Sequence, residues 1–218
     1  GAGQRVLEVG CGSGQATSGL LARGWQVVAV DPGADLIALA QTRLTGVDFH
    51  VDRFESFAPE PARYRLVASA QAWHWIDPNV SFPKAAAALQ PGGWLAVFGH
   101  VPLPPPPEAL KVLEPTYAEI APDLWRPPPQ AWYLPEGPVR TLFDASGLFG
   151  PVTCKAYAWS ERVTAAGFVR QLRTRSDYNV ILQDRRERLL AEVEKALARF
   201  GELSRRNETH LYLAELKS

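Results

Sequence analysis

From Val6 to Gly14 the chain reads Val-Leu-Glu-Val-Gly-Cys-Gly-Ser-Gly, an apolar strand running directly into a glycine-rich turn. No other feature narrows the fold as far. Glycines are needed there because the backbone must turn tightly into a helix and let a ligand approach where Cβ atoms would otherwise stand. Asp31 follows about 20 positions after Gly10, at the end of the next apolar run, where a carboxylate accepts hydrogen bonds from ribose hydroxyls. Turn and acid together predict a nucleoside-containing ligand in a crevice at the carboxyl ends of parallel strands.

Charge narrows the choice of ligand. The dinucleotide fingerprint G-x-G-x-x-G is not met, because Gln15 or Thr17 stands at its third glycine, depending on the starting point. Glu8, at the strand end, would repel a pyrophosphate but suits a ligand carrying an ammonium group. S-adenosylmethionine (SAM) has an amino-acid tail and a sulfonium and no phosphate, so the electrostatics favour SAM over NAD. The competing reading is a glycine turn with no ligand.

Strand and helix patterns alternate from the start, the mark of βαβ units and a parallel sheet. Strands are predicted at 5–9, 26–30, 47–51, 64–70, 94–99, 152–159 and 209–216. Helices are predicted at 13–23, 35–44, 80–89, 108–120, 139–146, 164–175 and 183–200. This is an α/β fold with a doubly wound, mostly parallel seven-stranded sheet in a single domain, 1–218. Two insertions, at about 101–138 and 163–205, are expected to form a helical and proline-rich cap over the strand carboxyl ends. Pro104 to Pro107 and Pro127 to Pro129 stiffen the first insertion; a docking site for SH3- or WW-like partners is the other reading of those runs.

The segment Glu8 to Gly14 resembles the first motif of class I SAM-dependent methyltransferases, E/D-x-G-x-G-x-G. Leu89-Gln90-Pro91-Gly92-Gly93 resembles the turn that leads into strand five of that family. The resemblance implies a Rossmann-like methyltransferase fold, with SAM as cofactor. It places Glu8, Gly10, Cys11, Gly12 and Gly14 on the methionine part, and Asp31 and Pro32 at the ribose. Asp52 and Arg53 match the position that meets the adenine, and Asp52 capping the next turn is the alternative. Ala70 and Gln71 complete the cofactor set. These motifs cover roughly residues 5 to 100.

After the fourth strand comes Gln71-Ala72-Trp73-His74-Trp75. Trp73 and Trp75 can wall a dry acceptor pocket or face a sulfonium, an interaction of ~0.5–2 kcal/mol. His74 can take a proton from a hydroxyl or amine acceptor. Packing under the next helix, with His74 merely hydrogen-bonded, is the alternative. The wording of this loop resembles the branch that includes trans-aconitate methyltransferases, which points to a carboxylate acceptor. Such an acceptor is already ionised and needs no base, only a cation to hold it, and Arg173, with Arg170 on the same helix face, is the candidate clamp. A solvated helix face is the other reading of those arginines.

The formal net charge is zero, with 23 basic and 23 acidic side chains, so no nucleic-acid partner is expected. No apolar run approaches the length of a membrane span. Cys11 and Cys154 show neither metal spacing nor a reason to pair, as expected of free thiols in a cytoplasmic protein. No metal is expected, and the oligomeric state is not legible. With no methionine in the chain, a segment preceding Gly1 is expected in the natural protein. A small-molecule methyltransferase is the leading expectation. A macromolecular enzyme acting on protein or RNA, or a SAM-binding protein without catalysis, are the alternatives.

Overall fold

A computed structural model describes residues 3–125, 132–174, 178 and 181–217. Seven strands are joined in one sheet: β1 (Arg5–Val9), β2 (Gln26–Asp31), β3 (Val47–Val51), β4 (Tyr64–Ala70), β5 (Leu89–Pro102), β6 (Thr153–Thr164) and β7 (Glu202–Glu215). Their order is β3-β2-β1-β4-β5-β7-β6. The pairs β1–β2, β2–β3, β1–β4 and β4–β5 are parallel. Strand order therefore reverses between β1 and β4. At such a switch point the loops leaving the two strands diverge and open a crevice at their carboxyl ends. The glycine turn leaves β1 and the Trp-His-Trp loop leaves β4, so both border that crevice.

The helices are α1 (Gln15–Leu21), α2 (Ala34–Gln41), α3 (Pro78–Ala88), α4 (Pro107–Ile120), α5 (Val139–Ser146), α6 (Ala165–Leu172) and α7 (Gln183–Ala198). Local chemistry sets several of their ends. Asp77 caps α3 by accepting from Asn79 N at 2.9 Å, with Pro78 at the first helical position, where its missing N–H costs nothing. Thr164 caps α6 through Gly167 N, and α5 stops at Gly147 in the left-handed region (φ 67°).

The chain divides into two compact units. Unit 1 comprises Gly1–His100, Gln130–Ala156 and Thr209–Ser218, and unit 2 comprises Val101–Pro129 and Tyr157–Glu208. In unit 1, β1 and β2 are buried almost throughout, as strands covered on both faces must be. In unit 2, α4, α6 and α7 turn Leu113, Tyr117, Val169, Leu172, Leu189, Leu190, Val193 and Leu197 inward to a core of their own.

Three strands are longer than the sequence predicts. β5 begins at Leu89 instead of 94 and runs through Pro91-Gly92-Gly93, absorbing that turn as an irregularity opposite Tyr64 and Leu66, with Gly92 at φ 71°. β7 begins at Glu202 instead of 209, and β6 continues to Thr164. Pro127 to Pro129 lie outside the described residues. Among those residues no helix is long and apolar enough to cross a membrane.

Candidate functional site

The crevice is built on the glycine turn. Gly10, Gly12 and Gly14 all take left-handed φ angles (74°, 53° and 89°), which a side chain adopts only with strain. Gly10 N and Cys11 N donate to Val30 O at 2.8 and 3.3 Å, hooking the turn over the end of β2. A Cβ on Gly10 would overlap Ala72, so the turn after β1 and the loop after β4 lie against each other. A Cβ on Gly12 would meet nothing within 4 Å, which marks the open side of the turn.

Asp31 ties this turn to the next. Its Oδ2 accepts from Gly12 N and its Oδ1 from Gly33 N, both at 2.8 Å. A carboxylate offers about four lone-pair sites, so each oxygen keeps room for one more donor. Pro32, next to it, is exposed. Asp52 N donates to Asp31 O, which places Asp52 beside the same strand end. Its Oδ1, however, accepts from Arg53 N at 2.8 Å and Ser56 Oγ at 2.5 Å, capping the turn that follows. Arg53 is exposed and reaches Glu55 at 3.5 Å. Cys11 turns its side chain into the core with Val6, Val27 and Ala68, and burial pushes its thiol up to about 12. Only its main chain is left to face a ligand.

Glu8 is the anomaly. It is 1% exposed, and neither carboxyl oxygen has a hydrogen-bond partner. The neighbouring Thr17 hydroxyl is likewise unpartnered. Burial pushes Glu8 up to about 7, with Thr17 opposing and the Asp31 charge adding to the rise. Thr17 stands close enough to favour the ionised form, yet completes no hydrogen bond of normal geometry to either oxygen; an acid buried in this way is costly, and a cation at the turn would offset that cost. The orphaned carboxylate, the spare acceptor sites of Asp31 and the open side of Gly12 together fit a ligand with an ammonium group and ribose hydroxyls.

Beyond β4, Ala70 is half-buried and Gln71 sits at φ 58° in the left-handed region. Gln71 N donates to Phe98 O and its side chain to His100 O, at 2.9 and 2.7 Å, and these bonds hold the residue there. Trp73, His74 and Trp75 then form one 3-10 turn. Trp73 departs from the sequence expectation: it is 1% exposed, edge-on to Phe82 at 5.5 Å and tilted against Phe54 at 6.0 Å. It packs the core and presents no face to an acceptor. Trp75 is 70% exposed. His74 is half-buried, its pKa lowered by that burial, and its Nδ1 lies 2.9 Å from Tyr133 Oη. Trp132 completes the cluster, 5.9 Å from His74 between ring centres.

Tyr133 and Trp132 are absent from the sequence-derived site. The available signal was two adjacent aromatics inside an otherwise proline-rich stretch. Arg170 and Arg173, the candidate arginine clamp, belong to unit 2, and Arg173 is paired to Glu187 at 2.6 Å on an exposed helix face. Its guanidinium already has a carboxylate. Among the described residues, no cluster of three or more His, Cys, Asp or Glu is placed to hold a metal.

Residues 6–93, from β1 into β5, match the family model described as a methyltransferase domain. That stretch is similar to the methyltransferase domain. The chain is 36% identical over 96 residues to an uncharacterized methyltransferase of Mycobacterium tuberculosis, a stretch that is 44% of this chain and 40% of that one. It is 36% identical over 103 residues to a ubiquinone biosynthesis O-methyltransferase of Xylella fastidiosa, covering 44% of this chain and 41% of the relative. The match thus spans about two fifths of these curated relatives' length. Among solved structures, a candidate type II methyltransferase from Anaeromyxobacter dehalogenans superposes with a TM-score of 0.66 at 26% identity, covering 98% of this chain and 89% of the other. A Haemonchus contortus phosphoethanolamine N-methyltransferase in complex with SAM shares the fold (TM-score 0.56, 18% identity, 100% of this chain and 49% of that one). The likeness of Gln71 to Trp75 to trans-aconitate methyltransferases draws no support from these relatives.

Proposed function

We propose that this methyltransferase domain binds SAM on the glycine turn and methylates a small molecule held at the aromatic loop. The observation that carries the reading is the unpartnered, buried carboxylate of Glu8 beneath a turn whose open side is Gly12. Bound there, SAM supplies an electrophilic methyl on a sulfonium centre. Glu8 would face its ammonium group, and Asp31 would accept from its ribose hydroxyls. Asp52, with one oxygen engaged in the turn, and Arg53 beside it would border the adenine, while Ala70 and Gln71 would close the wall. Trp75 offers an indole face to the developing and departing charge.

In methyl transfer the acceptor's lone pair forms the new bond to carbon as the sulfonium bond breaks, and a hydroxyl acceptor must also lose its proton. His74, kept neutral by burial, is the group in this cluster that can take that proton. A carboxylate acceptor would need a free cation, and Arg173 is held by Glu187. That observation favours a hydroxyl over a carboxylate, in line with the O-methyltransferase relative. A cytoplasmic location suits two free thiols, one of them exposed.

Calorimetry with SAM tests the cofactor half: Asp31→Ala should weaken binding by ~1–3 kcal/mol, the cost of stranding buried donors. Unchanged affinity removes Asp31 from the site. Incubating the protein with methyl-labelled SAM and panels of phenols, amines and carboxylic acids tests the other half. Label appearing only in added RNA or protein would replace the small-molecule reading. SAM binding without transfer to any acceptor would favour the non-catalytic one.

A further inference from the structure

We propose that Tyr133 is a positioning residue for His74, its hydroxyl oxygen accepting from Nδ1–H so that the ring keeps one orientation and offers an unprotonated Nε2 to the acceptor. This rests on the reading of His74 as the group that faces the acceptor.

Tyr133 is fixed from three directions within unit 1. Its ring is 3% exposed and lies flush on Gly99 of β5, where a Cβ would overlap it. Tyr212 Oη of β7 reaches Tyr133 O and Leu134 O at 3.1 and 2.9 Å, tethering the main chain on either side of the next peptide. The third contact is the hydroxyl on Nδ1 itself. A group held this firmly can orient a softer one, and His74 is softer: half-buried on a short 3-10 turn, with an exposed Trp75 ring on one side at 4.8 Å.

An imidazole seated among aromatic rings has two ring flips and two neutral tautomers of similar energy. Packing alone barely separates them, because carbon and nitrogen edges have nearly the same shape. A hydrogen bond at Nδ1 separates the two ring flips, by the tenfold or so that one such bond is worth, and its direction decides the tautomer: with Oη accepting, the proton stays on Nδ1. Burial lowers the pKa of His74 and raises that of Tyr133, so both stay neutral near pH 7 and the contact between them is a hydrogen bond between neutral groups. The unclaimed nitrogen, Nε2, is then the one available to a bound acceptor.

Nitrogen-15 NMR of the four histidines reads this directly, without SAM or turnover. His74→Gln assigns the His74 signals. The native protein should show the widely split nitrogen shifts of a single neutral tautomer protonated at Nδ1; protonation at Nε2 would overturn the proposal. In Tyr133→Phe, which keeps the ring and loses only the hydroxyl, they should draw together as the tautomers mix. Tyr212→Phe, which loosens the tether without touching His74, should give a smaller change in the same direction. SAM affinity should be unchanged in both variants, and kcat for an accepted hydroxyl substrate should fall about tenfold in Tyr133→Phe with KM held. Native-like His74 shifts in Tyr133→Phe would overturn the proposal. So would a loss of SAM affinity in that variant, which would make Tyr133 a structural element of the cofactor site. Absence of SAM binding in the native protein would instead refute the proposed function and leave the His74–Tyr133 pairing to stand or fall on the NMR.

Discussion

Glu8 holds its proton in the folded chain at pH values where an exposed glutamate would not. Its pKa rises from 4.5 to about 7 on folding, so between those values the native state binds a proton that the unfolded state releases. The sign follows: Glu8's contribution to stability falls as pH rises from about 4.5 to 7, and beyond that the full burial penalty persists. A ligand ammonium reverses the preference, because it favours the ionised acid. SAM binding near pH 6 should therefore expel close to one proton from Glu8, and binding above pH 8 should expel none from it. Titrations in buffers of different ionisation enthalpy measure this. Heats independent of buffer at pH 6 would take Glu8 away from the ammonium. At this scale the sequence was readable wherever a residue's position on a strand end fixed its direction, as for Glu8 and Asp31. It was not readable for Trp73, because one residue past a strand end the period of two no longer dictates which way a side chain points. Tyr133 was hidden for another reason: 59 positions separate it from His74, and nothing local encodes that meeting.

The contact of Tyr133 with β5 depends on a residue with no side chain. Gly99→Ala should force the Tyr133 ring off its seat, at ~1–3 kcal/mol of overpacking. Urea unfolding would register the loss, and the His74 shifts should move with it. A variant as stable as the native protein would mean that the ring has room to slide. The elements themselves were largely legible, since apolar runs, glycine stops and an Asp-Pro start mark their ends. The misread lengths share a cause. Pro91-Gly92-Gly93 looks like a turn that ends one element and begins another, but β5 carries it as an irregularity because the flanking residues still find partners on β4. The first half of β7, Glu-Leu-Ser-Arg-Arg-Asn-Glu, is too polar to advertise a strand; pairing within the sheet, not burial of an apolar face, makes it one.

Every proposed cofactor contact lies in unit 1. SAM at a hundredfold excess over its dissociation constant should stabilise the native state by about 2.7 kcal/mol, raising Tm by roughly 5–10 °C for a chain of this size. A thermal melt with and without SAM measures it, and NAD at the same excess should leave Tm unchanged. A larger shift with NAD would contradict the assignment of the crevice.

Sheet order and chain order disagree at one place, and the ribosome must contend with it. β7 is the last strand to be synthesised, yet it lies between β5 and β6. Until it emerges, β6 has no seat in the sheet and β5 presents an unpaired edge. Unit 2 is meanwhile complete except for the beginning of β7. The nascent chain therefore carries open strand edges until β7 is made, the state in which edge-to-edge association between neighbouring chains is most favoured. Cutting the chain within β7 would remove a strand from within the sheet and detach the one beyond it.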